Sequence, residues 1–249
     1  MLGKQVVLIT GASRGIGRAI AIEFAKQHWI TVICARNYTA LSTVAEEITQ
    51  VGGTQCLFRS FDIRDSITPL AIEIMEQYGR IDALINNAGM SLKKPFNDMD
   101  RWALEEIIET NLTAPMWLTR TILPYLQKQE QAWIVNVLSS AAKFGFPQMV
   151  AYCVSKHGLL GFTQALAAEL ENTNVKVVGV CPARVDTEMH RKIFPEVYEA
   201  RLLRHTIMAP EIVAKRIVQI VTSNKAHNGQ IINIDPWHTN LYHALKRLT

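Results

Sequence analysis

Cysteine is scarce, and what there is follows no metal-binding pattern. Cys34, Cys56, Cys153 and Cys181 are the full set, and no two form a Cys-x-x-Cys pair. Three of them fall in apolar stretches that read as strand or helix, so buried reduced thiols are expected rather than disulfides or a metal site. Long hydrophobic runs are missing too. No stretch approaches the ~20 apolar residues that span a bilayer. The first apolar run, residues 6–10, leads into a glycine turn rather than a signal-peptide cleavage site. The expectation is a soluble, cytoplasmic chain with no membrane partner. Nor does one sign of charge dominate: 26 Lys and Arg against 22 Asp and Glu leave +4, scattered without a basic arm. That argues against nucleic acid as a partner. With no repeat, low-complexity tract or linker in view, residues 1–249 read as one domain.

What is present is apolar and orderly. Hydrophobic residues make up 49% and charged residues 19%, a balance that folds rather than stays disordered. Short apolar runs at 6–10, 31–35, 55–61, 83–86, 132–138, 176–181 and 230–234 alternate with amphipathic stretches near 15–28, 41–51, 69–78, 102–128, 150–171 and 210–221. Parallel strands need helical crossovers, and continuous apolar runs mark strands covered on both faces. The reading is α/β: a doubly wound, seven-stranded parallel sheet flanked by helices on both faces. Pro69 and Pro210 stand where a first helical turn tolerates proline, whereas Pro115, inside the 102–128 pattern, predicts a kink or break.

Thr10-Gly11-Ala12-Ser13-Arg14-Gly15-Ile16-Gly17 follows the first strand and opens the first helix. Glycines there let the backbone turn sharply and approach a pyrophosphate, to which a helix N-terminus offers free N–H groups. In such a Rossmann-like unit, an acid closing the second strand binds the ribose of NAD, and arginine accommodates the 2′-phosphate of NADP. Here that strand runs into Ala35-Arg36-Asn37 with no carboxylate, and Arg14 is a second cation. Each arginine alone also reads as a solvated surface charge; together they point to NADP(H), since a guanidinium fork suits a phosphate.

Further down the chain come Asn86-Asn87-Ala88-Gly89 at the end of the fourth strand, Asn111, Ser139, Tyr152-Cys153-Val154-Ser155-Lys156, and Pro182 to Thr187 after the sixth strand. This ordered series, with the spacing Thr-Gly-x-x-x-Gly-x-Gly, resembles the short-chain dehydrogenase/reductase family over essentially the whole chain. The resemblance implies a single Rossmann-like domain that moves hydride between NADP(H) and a carbonyl or secondary alcohol. It implies that Tyr152 is the proton donor and acceptor and that Ser139 polarises the substrate oxygen. Lys156 would hold the nicotinamide ribose, and Asn111 would anchor a water linking Lys156 to solvent. It carries cofactor contacts over to Gly11, Ser13, Arg14, Gly15, Ile16, Gly17, Arg36, Asp62, Ile63, Asn87, Ala88, Gly89, Tyr152, Lys156, Pro182, Val185 and Thr187. Asp62 would meet adenine, and reads equally well as a turn or cap residue. Asn111 reads also as a helix irregularity beside Pro115.

The Tyr–Lys spacing has its own chemistry. Four residues apart on a helix, the two side chains share a face. A tyrosine with an ordinary pKa near ~10 is a poor base at neutral pH, and an adjacent ammonium is expected to lower it. Of the adjacent serines, the spacing back from Tyr152 selects Ser139, leaving Ser140 as a backbone partner.

Some positions depart from the family pattern. Ala183 stands where glycine is usual, Leu138 where serine or glycine is common, and Trp237-His238 where many members end in a glycine pair. The last two read as packing residues. Residues 188–208 fall where the family varies its substrate lid. Met189, Phe194, Tyr198 and Met208, with Phe144, Phe146 and Met149, suggest an apolar or aromatic carbonyl substrate, although such residues also form ordinary cores. Three readings stay open within the enzyme class: a 3-oxoacyl-carrier-protein reductase, a sepiapterin-type pterin reductase and a broad ketone reductase. A different class, a non-catalytic NADP-binding sensor, would need the glycine turn but not Asn111, Ser139, Tyr152 and Lys156. Apolar positions on the helices at 102–128 and 150–171 suggest a homodimer or homotetramer.

Overall fold

The computed structural model describes residues 4–53, 55–203 and 206–235. Trp237 and His238 lie outside them. The seven strands are β1 (Val6–Thr10), β2 (Ile30–Ala35), β3 (Cys56–Ser60), β4 (Ala83–Asn86), β5 (Ala132–Val137), β6 (Val175–Pro182) and β7 (Ile231–Ile234). All pairings are parallel, in the order β3-β2-β1-β4-β5-β6-β7. The order reverses between β1 and β4, which opens the crevice where doubly wound sheets bind ligands.

Alternation along each strand divides the core in two. Val7 and Ile9 of β1 point into one apolar layer with Phe24, Leu41 and Ile217; Val6 and Leu8 point into the other with Ile74, Ile122 and Ala167. Helices α1 (Gly15–Lys26), α2 (Tyr38–Gln50) and α9 (Pro210–Ser223) thus cover one face. Helices α3 (Thr68–Tyr78), α5 (Ala114–Leu126) and α6 (Val150–Glu169) cover the other. Such burial on both faces is what continuous apolar strands demand. All four cysteines are free thiols, three of them buried, and burial pushes the Cys34 thiol up to about 12.

The proline punctuation holds. Pro69 and Pro210 occupy first-turn positions in α3 and α9. The expected break before Pro115 is a single π turn over Glu109–Thr113, between α4 (Arg101–Ile108) and α5. Two helices that the sequence did not announce, α7 (Glu188–Ile193) and α8 (Pro195–Leu203), fill the variable segment after β6. None of α7 is buried. The segment departs and returns at one place: Val185 and Met208 form a parallel bridge, with Asp186 N–H on Met208 O at 2.8 Å and Met208 N–H on Arg184 O at 2.9 Å. Ala183 is absorbed without strain, its N–H donating to Ile234 O at 2.9 Å. Among the described residues, no helix is long and apolar enough to cross a membrane.

Candidate active site

The glycine turn packs directly on the end of β4. Gly11 has φ +65°, and a Cβ there would come within 2.7 Å of Ala88 Cα; a Cβ on Gly17 would overlap the Gly11 carbonyl and the Asn87 amide. Hydrogen bonds fasten the same junction. Thr10 Oγ1 accepts the N–H groups of both Asn87 and Ala88 at 3.0 Å, and Asn87 Nδ2 donates to Thr10 O at 2.9 Å. The first turn of α1 has neither a side-chain cap nor an acidic residue, so its N–H groups face the crevice unclaimed by side chains.

That crevice has a volume of about 580 Å³. Its wall brings together the glycine turn, Ser13, Arg14, Ile16 and Arg36, then Asp62, Ile63 and Asn87 to Gly89, and finally Tyr152, Lys156 and Thr187. Pro182 and Val185 line the adjoining chamber instead. A bare helix N-terminus, a glycine cradle and two arginines are the donor set that a dinucleotide's phosphates require, so the residues fit an NAD(P) group. Asp62 is engaged: Arg64 donates to it from Nε at 3.0 Å and Nη2 at 2.7 Å, and Arg36 lies 4.0 Å away. The Arg64 hydrogen bonds hold its carboxyl below the usual range. Arg14 pairs with Glu188 across the mouth at 2.5 Å, both side chains well exposed.

Beneath the crevice lies a buried polar ladder. Asn86 and Asn136 are register partners on β4 and β5. Asn86 Nδ2 donates to Asn136 Oδ1 at 2.8 Å and to Thr119 Oγ1 at 3.0 Å, and Asn136 Nδ2 donates to Thr163 Oγ1 at 2.9 Å. The ladder ties the strand ends to α5 and α6, which carry the site. Asn111, in the π turn, is fully buried. Its Oδ1 accepts Met90 N–H at 2.8 Å, and its Nδ2 donates to Met90 O at 2.8 Å and Ser155 Oγ at 3.0 Å. Ser155 Oγ in turn donates to Tyr152 O at 2.8 Å. With both amide hydrogens and the oxygen engaged, the Asn111 side chain clamps the β4 loop to α6. Sequence missed Ser155 and Met90, for which no residue pattern exists.

Tyr152 and Ser139 stand together in the wall of one chamber, and the serine hydroxyl pulls the tyrosine pKa down. Ser139 Oγ accepts Ala141 N–H at 3.1 Å, and Ser140 O accepts the N–H groups of Lys143 and Phe144 at 3.0 and 3.1 Å. Lys156 is buried, and its Nζ donates to Val137 O at 2.9 Å, 6.0 Å from the Tyr152 ring centre. Here the expectation that Lys156 lowers the tyrosine is overturned. Burial raises the Tyr152 pKa above its ordinary value, with the nearby Ser139 hydroxyl pulling the other way, and the Lys156 amine is directed at the strand end rather than the phenol. Burial brings the Lys156 pKa down to about 8.

A second chamber of about 230 Å³ opens beside Ser139 and Tyr152. Phe146, Met149, Met189 and Phe194 line it as expected. Three others do not. Phe144 is absent from its wall, Tyr198 donates to Asp186 at 2.8 Å, and Met208 is buried at the lid base. Tyr152 and Thr187 border both cavities. Thr187 Oγ1 accepts His190 N–H at 3.2 Å and caps α7, and its methyl stands 3.2 Å from where a Gly15 Cβ would be.

A dinucleotide crevice that meets an apolar chamber at a Ser–Tyr–Lys group defines an oxidoreductase. Comparison with known proteins places it further. The chain belongs to the short chain dehydrogenase family, whose model matches residues 5–197. It is 33% identical to the 3-oxoacyl-[acyl-carrier-protein] reductase FabG of Thermotoga maritima, over 94% of this chain and 97% of that protein. It is 30% identical to the sepiapterin reductase of Chlorobaculum tepidum, over 85% and 90%. Among solved structures, a variant of the actinorhodin polyketide ketoreductase with NADPH superposes with a TM-score of 0.86 at 30% identity, covering 93% of this chain and 96% of that one. The protein is therefore an NAD(P)-using oxidoreductase that acts on carbonyl or alcohol groups of a small-molecule substrate.

Proposed function

We propose that this chain is an NADPH-dependent carbonyl reductase, reversible as a dehydrogenase, working as one domain over residues 1–249. The observation that carries the reading is Tyr152, which borders both cavities and stands with Ser139 in the wall of one of them. When bound, the nicotinamide supplies hydride to the carbonyl carbon or takes it back. The rest is done by this chain. Tyr152 keeps its proton at neutral pH because burial raises its pKa, and it releases that proton to the oxygen as negative charge develops there. Ser139 receives Ala141 N–H and turns its own hydrogen towards the same oxygen, a small oxyanion-type contribution. Lys156 supplies a buried donor beside Gly89 for ribose hydroxyls, and Asn111 positions the α6 turn that carries Tyr152.

Arg14 and Arg36 select the 2′-phosphate; both border the crevice, and no acid closes β2. The apolar wall of the second chamber favours an apolar or aromatic carbonyl. Relatives named for 3-oxoacyl and sepiapterin reduction support the reductive direction. Trp102, Met116, Trp117 and Val154 stand exposed on α4, α5 and α6, an apolar surface that a homodimer or homotetramer would cover. The test is a titration with NADPH and NADH, then turnover of a carbonyl panel. Tighter NADPH binding that Arg36→Ala weakens about tenfold, with ketone reduction lost in Tyr152→Phe, is the expected result. A preference for NADH, or NADPH binding without turnover of any carbonyl, overturns it.

A further inference from the structure

The second chamber has an arginine in its wall: among the described residues that line it, none is aspartate or glutamate, yet Arg184 is there. Arg184 is partly buried, and among the described residues no hydrogen bond or ion pair reaches its side chain. The acids nearest to it in sequence are committed elsewhere. Asp186 accepts Arg191 Nη2 at 2.7 Å and Tyr198 OH at 2.8 Å, and Glu188 pairs with Arg14 at 2.5 Å. An arginine in the wall of an apolar cavity, with the acids that follow it in sequence engaged by other partners, is a site for an anion from outside the chain.

Resting on the reductase reading, we infer that the substrate is an oxo acid: its ketone faces Tyr152 and Ser139, and its carboxylate is received by Arg184. The apolar side chains Phe146, Met149 and Phe194 then take the carbon skeleton between the two polar ends. The reaction is unchanged and balanced. Hydride from NADPH and one proton convert the ketone to a secondary alcohol, and the carboxylate is a handle that is neither made nor broken. A planar, charge-assisted pair also explains why a cation is tolerated in an otherwise apolar wall.

The test compares 4-oxo-4-phenylbutanoate and 5-oxo-5-phenylpentanoate with their methyl esters, in wild type, Arg184→Met and Arg184→Lys. In wild type, kcat/KM for at least one acid is expected to exceed that of its ester about tenfold or more at low salt, the scale of one charge-assisted hydrogen bond. Added salt should shrink that ratio by screening the acid alone. Arg184→Met should bring the ratio close to one, with Arg184→Lys in between. An ester as good as its acid in wild type, or an acid preference that survives Arg184→Met, overturns the inference. The wild-type ratio and its salt dependence stand even where a variant misfolds. Calorimetric binding of each acid and ester to the NADPH-loaded protein reads the same preference without turnover. Absence of any turnover therefore counts against the reductase reading alone, while equal binding of acid and ester counts against the oxo acid.

Discussion

The two walls of the cleft are built in opposite ways. On the cofactor side, backbone meets backbone at van der Waals limits between Gly11 and Ala88, and Thr10, Asn87, Asn111 and Ser155 interlock through short hydrogen bonds. On the substrate side, α7 has no fully buried residue, Ile193 packing only partly on Met149 and Cys153, and exposed ion pairs tie the segment down, Arg14 with Glu188, and Lys93 with Glu196 of α8 at 3.8 Å. Exposed pairs contribute only ~0–1 kcal/mol each, whereas an unmet buried donor or acceptor costs ~1–3 kcal/mol. The geometry that the chemistry needs is thus over-determined, and the surface that selects the substrate is weakly held.

Substitutions that strike the tight wall should do far more than those on the loose one. Tyr152→Phe removes the transferable proton and should lower kcat by ~10²–10⁴-fold, with NADPH affinity changed only a few-fold. Stopped-flow NADPH oxidation checks this, and turnover within tenfold of wild type would move the acid elsewhere. Asn111→Leu strands the Met90 N–H and C=O and the Ser155 hydroxyl, so urea unfolding should show a loss of about 3 kcal/mol or more. A loss below ~1 kcal/mol would mean that the clamp does not distinguish the two walls.

Lys156 gives a pH signature smaller than these. Its pKa falls from 10.5 to about 8 through burial. Between those values the folded protein has released a proton that the unfolded chain still binds, so stability should rise with pH across that window. Denaturant titrations at pH 7.5 to 9.5, with Lys156→Met as reference, should show wild type gaining on the variant; a constant difference would contradict the buried amine. The smallest effect is expected at Glu188→Gln on the loose wall. Stability should move by less than ~1 kcal/mol. NADPH should bind up to about threefold tighter because Arg14 is released, with NADH unaffected; weaker NADPH binding would remove Arg14 from the phosphate site.

The same contrast decides what could be read from the sequence. Strands announce themselves because both faces are buried, and the turn around Gly11 is legible because any side chain there would collide with Ala88. Pro115 announced a break but not its form, since a π turn leaves no compositional trace. The helices α7 and α8 were illegible because little burial means little apolar periodicity. A spacing of four places Lys156 on the face of Tyr152, yet only the fold shows that its amine reaches for Val137 O instead. The isolation of Arg184 likewise depends on where Arg191, Tyr198 and Arg14 direct the neighbouring acids.

The bridge between Val185 and Met208 closes the intervening segment on itself at one point just beyond β6. Because both ends are pinned together, the chain between them can lengthen or shorten without shifting β6 or α9. Each doubling of a loop costs only ~0.6 kcal/mol in closure entropy. On the proposed reading, the segment is an exchangeable cassette, so insertions and recombination there would retarget the enzyme while the proposed catalytic tyrosine, its serine and the dinucleotide floor are inherited unchanged.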